Sequence, residues 1–508
     1  MKIYRYIFIM LFLIINFNIS YGQDQKEITI TDALNQMYNT HESIKENELD
    51  LKEKKLRRNA AWGLYSPRID LHAGYVYMSD DSTMDVDLGG LKSSLGSGIS
   101  GFAQNGLVQF GGILEQVGIT GAQKDAIMNN LSESTKSELN KINAAIPGTM
   151  EQKIQDRSFF TFGASLVWPV FTGGRIYAAN MAASARYDMA KSGNIDNRNS
   201  LGVRLAERYF TLVLANEVIE VKKEVVASME DHYEKSLKLE KAGMLAKVER
   251  LHAAMSLSNA QKSLDNSIRQ GNLARSALKS IINAENDKIK PTTPLFLIDM
   301  DKLDPVTYFQ DLAVTGNHKL KQGKSGEKLA KAAVVNSAAS LWPHINFFAN
   351  ASIYEYNLTT MIPDALIGVQ MNFNLFNGAK DYHNLKAAKS LEQSVKLRVQ
   401  RAEKDIRTLV EQLYLSMENA RADYDNNKKT QEFANEYLRA KRKAYNQGVA
   451  TSLDVVDAEL NLSAAKMEAI TAAYKFDLAL VNLLQVSGLF DNLETYRQAA
   501  TIEPTLNK

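Results

Sequence analysis

The 508-residue chain contains no cysteine and only nine prolines. The lack of cysteine excludes a disulfide framework, a thiolate nucleophile, an iron–sulfur cluster, a Cys-ligated zinc and a lipid anchor on an N-terminal cysteine. Scarce proline favours long uninterrupted helices, because each internal proline would kink or end one. An excess of one charge is missing too. With 60 basic and 58 acidic residues the formal charge is +2, and no basic surplus speaks for nucleic acid as a partner. Beyond residue 22, no apolar run approaches the ~18 residues of a membrane-spanning helix.

The first 22 residues read as a secretion signal. Lys2 and Arg5 precede a nine-residue apolar run, Ile7 to Ile15, and Ser20-Tyr21-Gly22 supplies a small-x-small cleavage pattern. Removal of this segment leaves 58 basic and 58 acidic residues. In an exported chain without an apolar helix, any membrane span has to come from β-strands.

An internal repeat organises the rest. Phe171-Thr172-Gly173-Gly174-Arg175 resembles Phe376-Asn377-Gly378-Ala379-Lys380 at an offset of 205 residues (376 minus 171). The same offset pairs Tyr177 with Tyr382, Tyr209 with Tyr414, Gly243 with Gly448 and Ala274 with Ala479. Pro67-Arg68-Ile69 matches Pro343-His344-Ile345 at 276 instead, so the first half carries 71 extra residues (276 minus 205) between Pro67 and Gly173. This insertion, Asp81 to Arg157, opens on Gly89, Gly90, Gly96, Gly98 and Gly101 and closes on a polar helical stretch near Ser132 to Ala145. It reads as a long loop at one end of a barrel.

Two periodicities divide the repeats. Residues 175–242 and 380–447 contain no proline, and apolar or small residues recur at steps of three and four, as in Ala388, Leu391, Val395, Val399, Ala402, Ile406 and Leu409. The pattern predicts amphipathic helices of 68 residues each, about 100 Å long at ~1.5 Å per residue. Four short segments alternate with period two: Ile69 to Tyr77, Phe160 to Trp168, Ile345 to Ile353 and Ile367 to Leu375. One face of each is apolar and aromatic, the other Asn, Gln, Gly and Ser. Such strands suit a sandwich with one wet face, and also a transmembrane barrel with a polar lumen. The signal segment favours the barrel. Four strands cannot enclose a lumen alone, so a barrel requires oligomerisation.

Several motifs carry no chemistry. Gly96-x-Gly98-x-x-Gly101 follows no strand and opens no helix, which reduces it to flexible loop. Gly323-Lys324-Ser325 lacks the first glycine of a phosphate-binding loop, with His318 in its place. The seven histidines are scattered; His72 and His344, near strand starts, suit polar interfacial or lumen positions better than metal ligation. No nucleophile meets a base, and no enzyme, cofactor or metal is expected.

The segment that stands out is Tyr445-Asn446-Gln447-Gly448-Val449-Ala450-Thr451-Ser452-Leu453-Asp454-Val455-Val456-Asp457-Ala458. Gly448 ends one long helix in a left-handed cap, and Thr451 or Ser452 caps the next. Asp454 and Asp457, spaced i, i+3, share a helix face. Asp454 also fits a first-turn acid favoured by the helix dipole. The sister repeat has Gly243, Glu249 and His252 at these positions, so the paired acids belong to one hairpin.

Signal segment, two repeats, two strands and two long helices per repeat, and this tip together resemble the TolC family of outer-membrane efflux proteins over roughly Ile28 to Gly488. The passages Ala60-Ala61-Trp62-Gly63-Leu64-Tyr65-Ser66-Pro67 and Phe373-Asn374-Leu375-Phe376-Asn377-Gly378 look like the family's strand borders. The resemblance implies a mainly α fold with β: a homotrimer whose twelve strands, four per protomer, form one outer-membrane barrel continuous with a long periplasmic coiled-coil barrel. It implies a signal peptide (1–22), a first repeat (23–282) carrying an extracellular insertion (81–157), an equatorial linker (283–315), a second repeat (316–488) and a C-terminal tail (489–508). The function implied is the exit duct of a tripartite efflux or type I secretion system, embedded in outer-membrane lipid and served by a periplasmic adaptor and an inner-membrane pump. The alternative is a periplasmic coiled-coil adaptor, which needs a β-rich module splitting one helical hairpin.

The resemblance also assigns residues. The periplasmic gate falls on Asp454, Asp457 and Tyr445, although the position of the tyrosine's arginine partner holds Ala450. Adaptor docking falls on Gly243, Met244 and Leu245 in one tip and Gly448, Val449, Ala450, Thr451 and Ser452 in the other. In a trimer, mutual repulsion among six carboxylates is expected to raise their pKa values.

Overall fold

The computed structural model describes residues 26–77, 121–145, 158–284, 289–356 and 363–504, together with 109 and 113. The expected signal segment and most of the insertion lie outside them. β1 (Lys26–Ile28), α1 (Ile30–Thr40) and α2 (Glu42–Trp62) lead to β2 (Arg68–Tyr77). The insertion contributes α3 (Ala122–Ala145), which begins ten residues before the stretch read from the sequence. β3 (Ser158–Phe171) feeds α4 (Arg175–Lys241, 67 residues), which turns back as α5 (Lys247–Ile281). β4 (Ile289–Pro291), α6 (Val306–Gly316) and α7 (His318–Ala339) connect to β5 (His344–Tyr356) and β6 (Ala365–Asn372). α8 (Lys380–Asn446, again 67 residues), α9 (Ser452–Ser487) and the short α10 (Leu493–Gln498) complete the order.

Two compact units divide the chain, and neither follows chain order. One holds Met1–Glu46, Ile195–Asn317 and Lys404–Lys508; the other holds Asn47–Asn194 and His318–Glu403. In the first, Phe476, Leu480 and Leu484 of α9 pack with Leu205, Tyr209 and Phe210 of α4 and with Phe296 and Phe309. α9 alone among the described helices has the length and composition of a membrane span, yet 67% of its apolar window is buried inside this unit. Its hydrophobicity is used in packing. The Tyr209 hydroxyl accepts from the Thr292 and Thr293 N–H groups at 3.0 and 2.8 Å and donates to the Ile28 carbonyl at 2.9 Å. It thereby holds β1 beside β4 as a parallel pair, 263 residues apart in sequence at Lys26 and Ile289.

The second unit is built on one antiparallel sheet ordered β2-β3-β5-β6. The four alternating segments are its strands, with one difference. Alternation continues to Leu375, but β6 stops at Asn372, because Asn372 pairs with His344, the first residue of β5, and no partner remains for the next three residues. After β3 the chain turns at Gly173, whose φ is +62° and where a Cβ would come within 2.7 Å of the Ala339 carbonyl oxygen. Its repeat mate Gly378 is also left-handed. The shared five-residue motif is thus the strand-to-helix turn that launches α4 and α8.

Candidate functional site

The faces of the sheet differ in chemistry and exposure. Ile69 pairs with Leu166, Leu166 with Ala349 and Ala349 with Ile367, so these four share one face. Ile69, Leu71, Ile367 and Val369 on that face are each 67–68% exposed. Asp70, Ser165, Asn350, Asn346 and Gln370 lie on the other face and are half-buried or buried. A sheet that turns its apolar face outward and shelters its polar face inverts the arrangement of a soluble sandwich.

Exposed aromatics flank the apolar band at both ends. Tyr75, Tyr77, Tyr354 and Tyr356 lie at one end; Trp168, Phe171 and Phe373 lie at the other, near Trp62, Tyr65 and Trp342. The Trp168 indole donates to the Tyr65 carbonyl at 3.0 Å. Tyr77 pairs with Ser158, ten residues before Trp168 on the same strand. At ~3.3 Å per residue and a tilt of ~40°, the girdles stand about 25 Å apart, the height of an outer-membrane apolar band.

The second site is the pair of helical tips in the first unit. α4 and α8 end alike: Met244 N–H reaches the Leu239 carbonyl and Gly243 N–H the Glu240 carbonyl, while Val449 reaches Ala444 and Gly448 reaches Tyr445. These are Schellman caps, with Gly243 and Gly448 at φ +71° and +76°. Met244 and Val449 project into solvent, 71% and 80% exposed. Thr451 is the N-cap of α9 and forms a capping box with Asp454. Ser452 is the first helical residue instead, fully buried, with its hydroxyl 2.8 Å from His232 Nε2.

Beneath the caps lies a polar network. Tyr445 is buried; its hydroxyl lies 2.7 Å from Ser236 Oγ and its ring centroid 4.7 Å from that of His232. Ser236 donates to the His232 carbonyl. Burial, with nearby His252 and Arg442, lowers His232 to a pKa of about 4. Ser452 N–H donates to the Glu249 carboxylate at 2.9 Å, so an acid from one tip caps the helix of the other. Deeper in, Arg442 donates to Glu459 at 2.7 Å and to Ser228 at 2.5 Å.

The two aspartates do not behave alike. Lys441 Nζ lies 2.7 Å from Asp454 Oδ1, while Thr451 N–H and Oγ1–H donate to Oδ2 at 2.9 and 2.7 Å. These donors, the lysine first, hold the carboxyl well below the usual range. Within one protomer the direction is set by Lys441 and Thr451, and the repulsion expected between copies acts only in a trimer. Asp457 is exposed, with no hydrogen bond or ion pair among the described residues. Ala450 packs with Leu245 against Leu438, Tyr445, Val455 and Leu462, so an apolar contact stands where the resemblance places an arginine.

Sequence reading missed Glu249, His232 and Ser236, whose partners lie about 200 residues away. It also missed an exposed apolar row on the first tip, Met244, Val248, Leu251 and Met255. That row was visible in the 4-3-4 spacing after Gly243. Among the described residues no three His, Asp or Glu side chains converge to hold a metal ion.

Comparison with known proteins agrees with this geometry. The family described as outer membrane efflux protein matches residues 131–284 and 310–489, more than half of the chain. No curated protein sequence matches. The fold is similar to that of the outer membrane protein VceC from Vibrio cholerae, at 14% identity and a TM-score of 0.67, covering 90% of this chain and 96% of that one. It is also similar to the Campylobacter jejuni CmeC outer membrane channel, at 13% identity and 0.68, covering 92% and 89%. The Neisseria gonorrhoeae MtrE outer membrane channel in its open state matches at 16% and 0.65, covering 91% and 89%. At these identities the structures establish the fold, and the family match adds the lineage: the chain belongs to the outer membrane efflux protein family.

Proposed function

We propose that the protein is the exit duct of a tripartite efflux or type I secretion system, a homotrimer that takes cargo from an inner-membrane pump through a periplasmic adaptor and releases it outside the cell. Membership of the family places it in the outer membrane. The single observation that carries the reading is the sheet, with an exposed apolar face between two aromatic girdles and a sheltered polar face. Its edge strands β2 and β6 present unpaired backbone rows, which hydrocarbon does not tolerate. Three copies joined edge to edge satisfy them as a twelve-strand barrel. The adaptor alternative lacks support: residues 242–246 and 447–451 close both hairpins directly, leaving no place there for a β-rich module.

In this reading Tyr445, Asp454 and Asp457 belong to the periplasmic gate, and Gly243, Met244, Leu245 and Gly448 to Ser452 dock the adaptor. The row Val248, Leu251 and Met255 extends that surface. No covalent chemistry is required of the chain. The test is fractionation. The protein is expected to sediment with outer membranes, to resist high salt, to need detergent for release, and to migrate as a trimer on gels until boiled. Recovery from the soluble periplasm would overturn the duct.

A further inference from the structure

The insertion leaves the sheet at Tyr77 and returns at Ser158, paired residues at one end. Its helix α3 touches the opposite end. The Asn130 amide donates to Asp381 Oδ1 at 3.1 Å and accepts from Lys380 Nζ at 3.4 Å, the first two residues of α8. Asn130 and Ser134, one turn apart, line a small cavity with Arg175, His344, Asn372 and Asp381. His344 and Asn372 pair with each other and lie in step with Asn346 and Gln370, on the polar face. α3 therefore approaches the sheet from its polar side.

The helix also reaches past the strands. Ile127 and Met128 pack against Ala182 of α4 and Ala332 and Ala333 of α7. Ala182 is seven residues into α4, about 10 Å beyond its start at ~1.5 Å per residue. With 127–128 deeper than 130–134, α3 runs back toward the strand end from which the insertion came. Asp381 belongs to this docking site rather than to the repeat: its mate at offset 205 is Ile176. It is a buried carboxyl, 8% exposed, whose second oxygen accepts from Asn377 at 2.5 Å.

We infer that α3 is a lumen plug, a segment that fills the barrel and determines what leaves it. The inference rests on the twelve-strand duct proposed above. Twelve strands ~4.8 Å apart and tilted ~40° give a circumference of about 75 Å and a diameter of about 24 Å between backbones. Three helices ~10 Å across, packed together, need a circle of about 22 Å. The inward side chains of the strands narrow the section below that, so copies of α3 at one level leave no open passage, and cargo passes only when the helices withdraw. The support described is small: one amide held by Lys380 and Asp381, and two apolar side chains against three alanines. A support of that kind can be broken and remade without unfolding the sheet.

The cysteine-free chain gives a clean background for the test. The full-length variant Ser134→Cys/Asn372→Cys, in native outer membranes, is treated with a short bismaleimide; both residues line the cavity, and neither makes the Asn130 contacts. An intrachain crosslink in heat-sensitive trimers is expected. In parallel, Asn372→Cys is labelled from outside intact cells with a polymer-linked maleimide too large for porins. Deleting residues 82–155 behind a short turn is expected to raise the labelling rate about tenfold or more, as for any pore relieved of its constriction. Trimers without the crosslink, or equal labelling with and without the insertion, overturn the plug and leave the duct standing. If the deletion does not assemble, the crosslink alone decides. An unaltered chain that forms no trimer overturns the duct reading, and the plug with it.

Discussion

His232 keeps its imidazole beneath the tips, bonded to Ser452, stacked on Tyr445 and facing His252, Arg442, Asp231 and Lys235. Its folded pKa is about 4, below the ordinary 6.5. An opened tip therefore binds more protons than a closed one between those values. Stability of the tip is fully present above pH 6.5 and falls as pH drops toward 4, by at most about 1.4 kcal/mol per unit. Amide exchange across residues 445–456, corrected for intrinsic rates, is expected to quicken over that window, and His232→Gln is expected to flatten the dependence. Asp477 has the opposite sign. Its carboxyl is fully buried with one bond, from Phe296 N–H, and burial raises its pKa well above the usual value. It holds its proton where the unfolded chain has lost it, so its cost grows as pH rises above about 4. Asp477→Asn is expected to raise the melting temperature at pH 8, with the gain vanishing near pH 4. Neither residue announces itself in sequence, because nothing local says that a lone His or Asp within a helix is enclosed.

At the scale of elements, much was legible. Alternation located all four sheet strands, and the proline-free stretches located both 67-residue helices, because their periodicities persist for many residues. The glycine tips were legible too, as a left-handed cap needs only local chain. Contacts across the sequence were not. The end of β6 is set by the start of β5, the β1–β4 pair by Tyr209, and the second cap of α9 by Glu249. That last junction makes a measurable claim. α9 begins under two separate caps, Thr451 with Asp454 and Glu249 on the Ser452 N–H. Thr451→Ala is expected to cost about 1 kcal/mol in denaturant unfolding. Glu249→Ala is expected to loosen both hairpins together, read as faster exchange at Ser452 and around Gly243. Exchange confined to α9 would show that the two tips move independently.

At the scale of the whole molecule, charge at the inner end of the proposed duct rests on one aspartate more than on the other. Asp454 is ringed by its own protomer: Lys441 balances its charge, and the Thr451 groups fill its second oxygen. In the proposed duct, Asp457, exposed and without such a partner among the described residues, is the acid whose charge is left uncompensated. In the proposed trimer, three copies around one axis make an acidic ring that attracts cations, and the strength of such a ring depends on charge left uncompensated. In planar bilayers under a salt gradient, Asp457→Asn is expected to lower the cation-to-anion permeability ratio about threefold and to weaken block by multivalent cations. Asp454→Asn combined with Lys441→Gln is expected to leave selectivity nearly unchanged, because the ion pair it removes carries no net charge. Its larger effect is on stability, through the lost capping box. Equal effects of the two variants on selectivity would mean that Lys441 releases Asp454 when the trimer forms. Selectivity indifferent to Asp457 would place the acidic pair outside the conduction path.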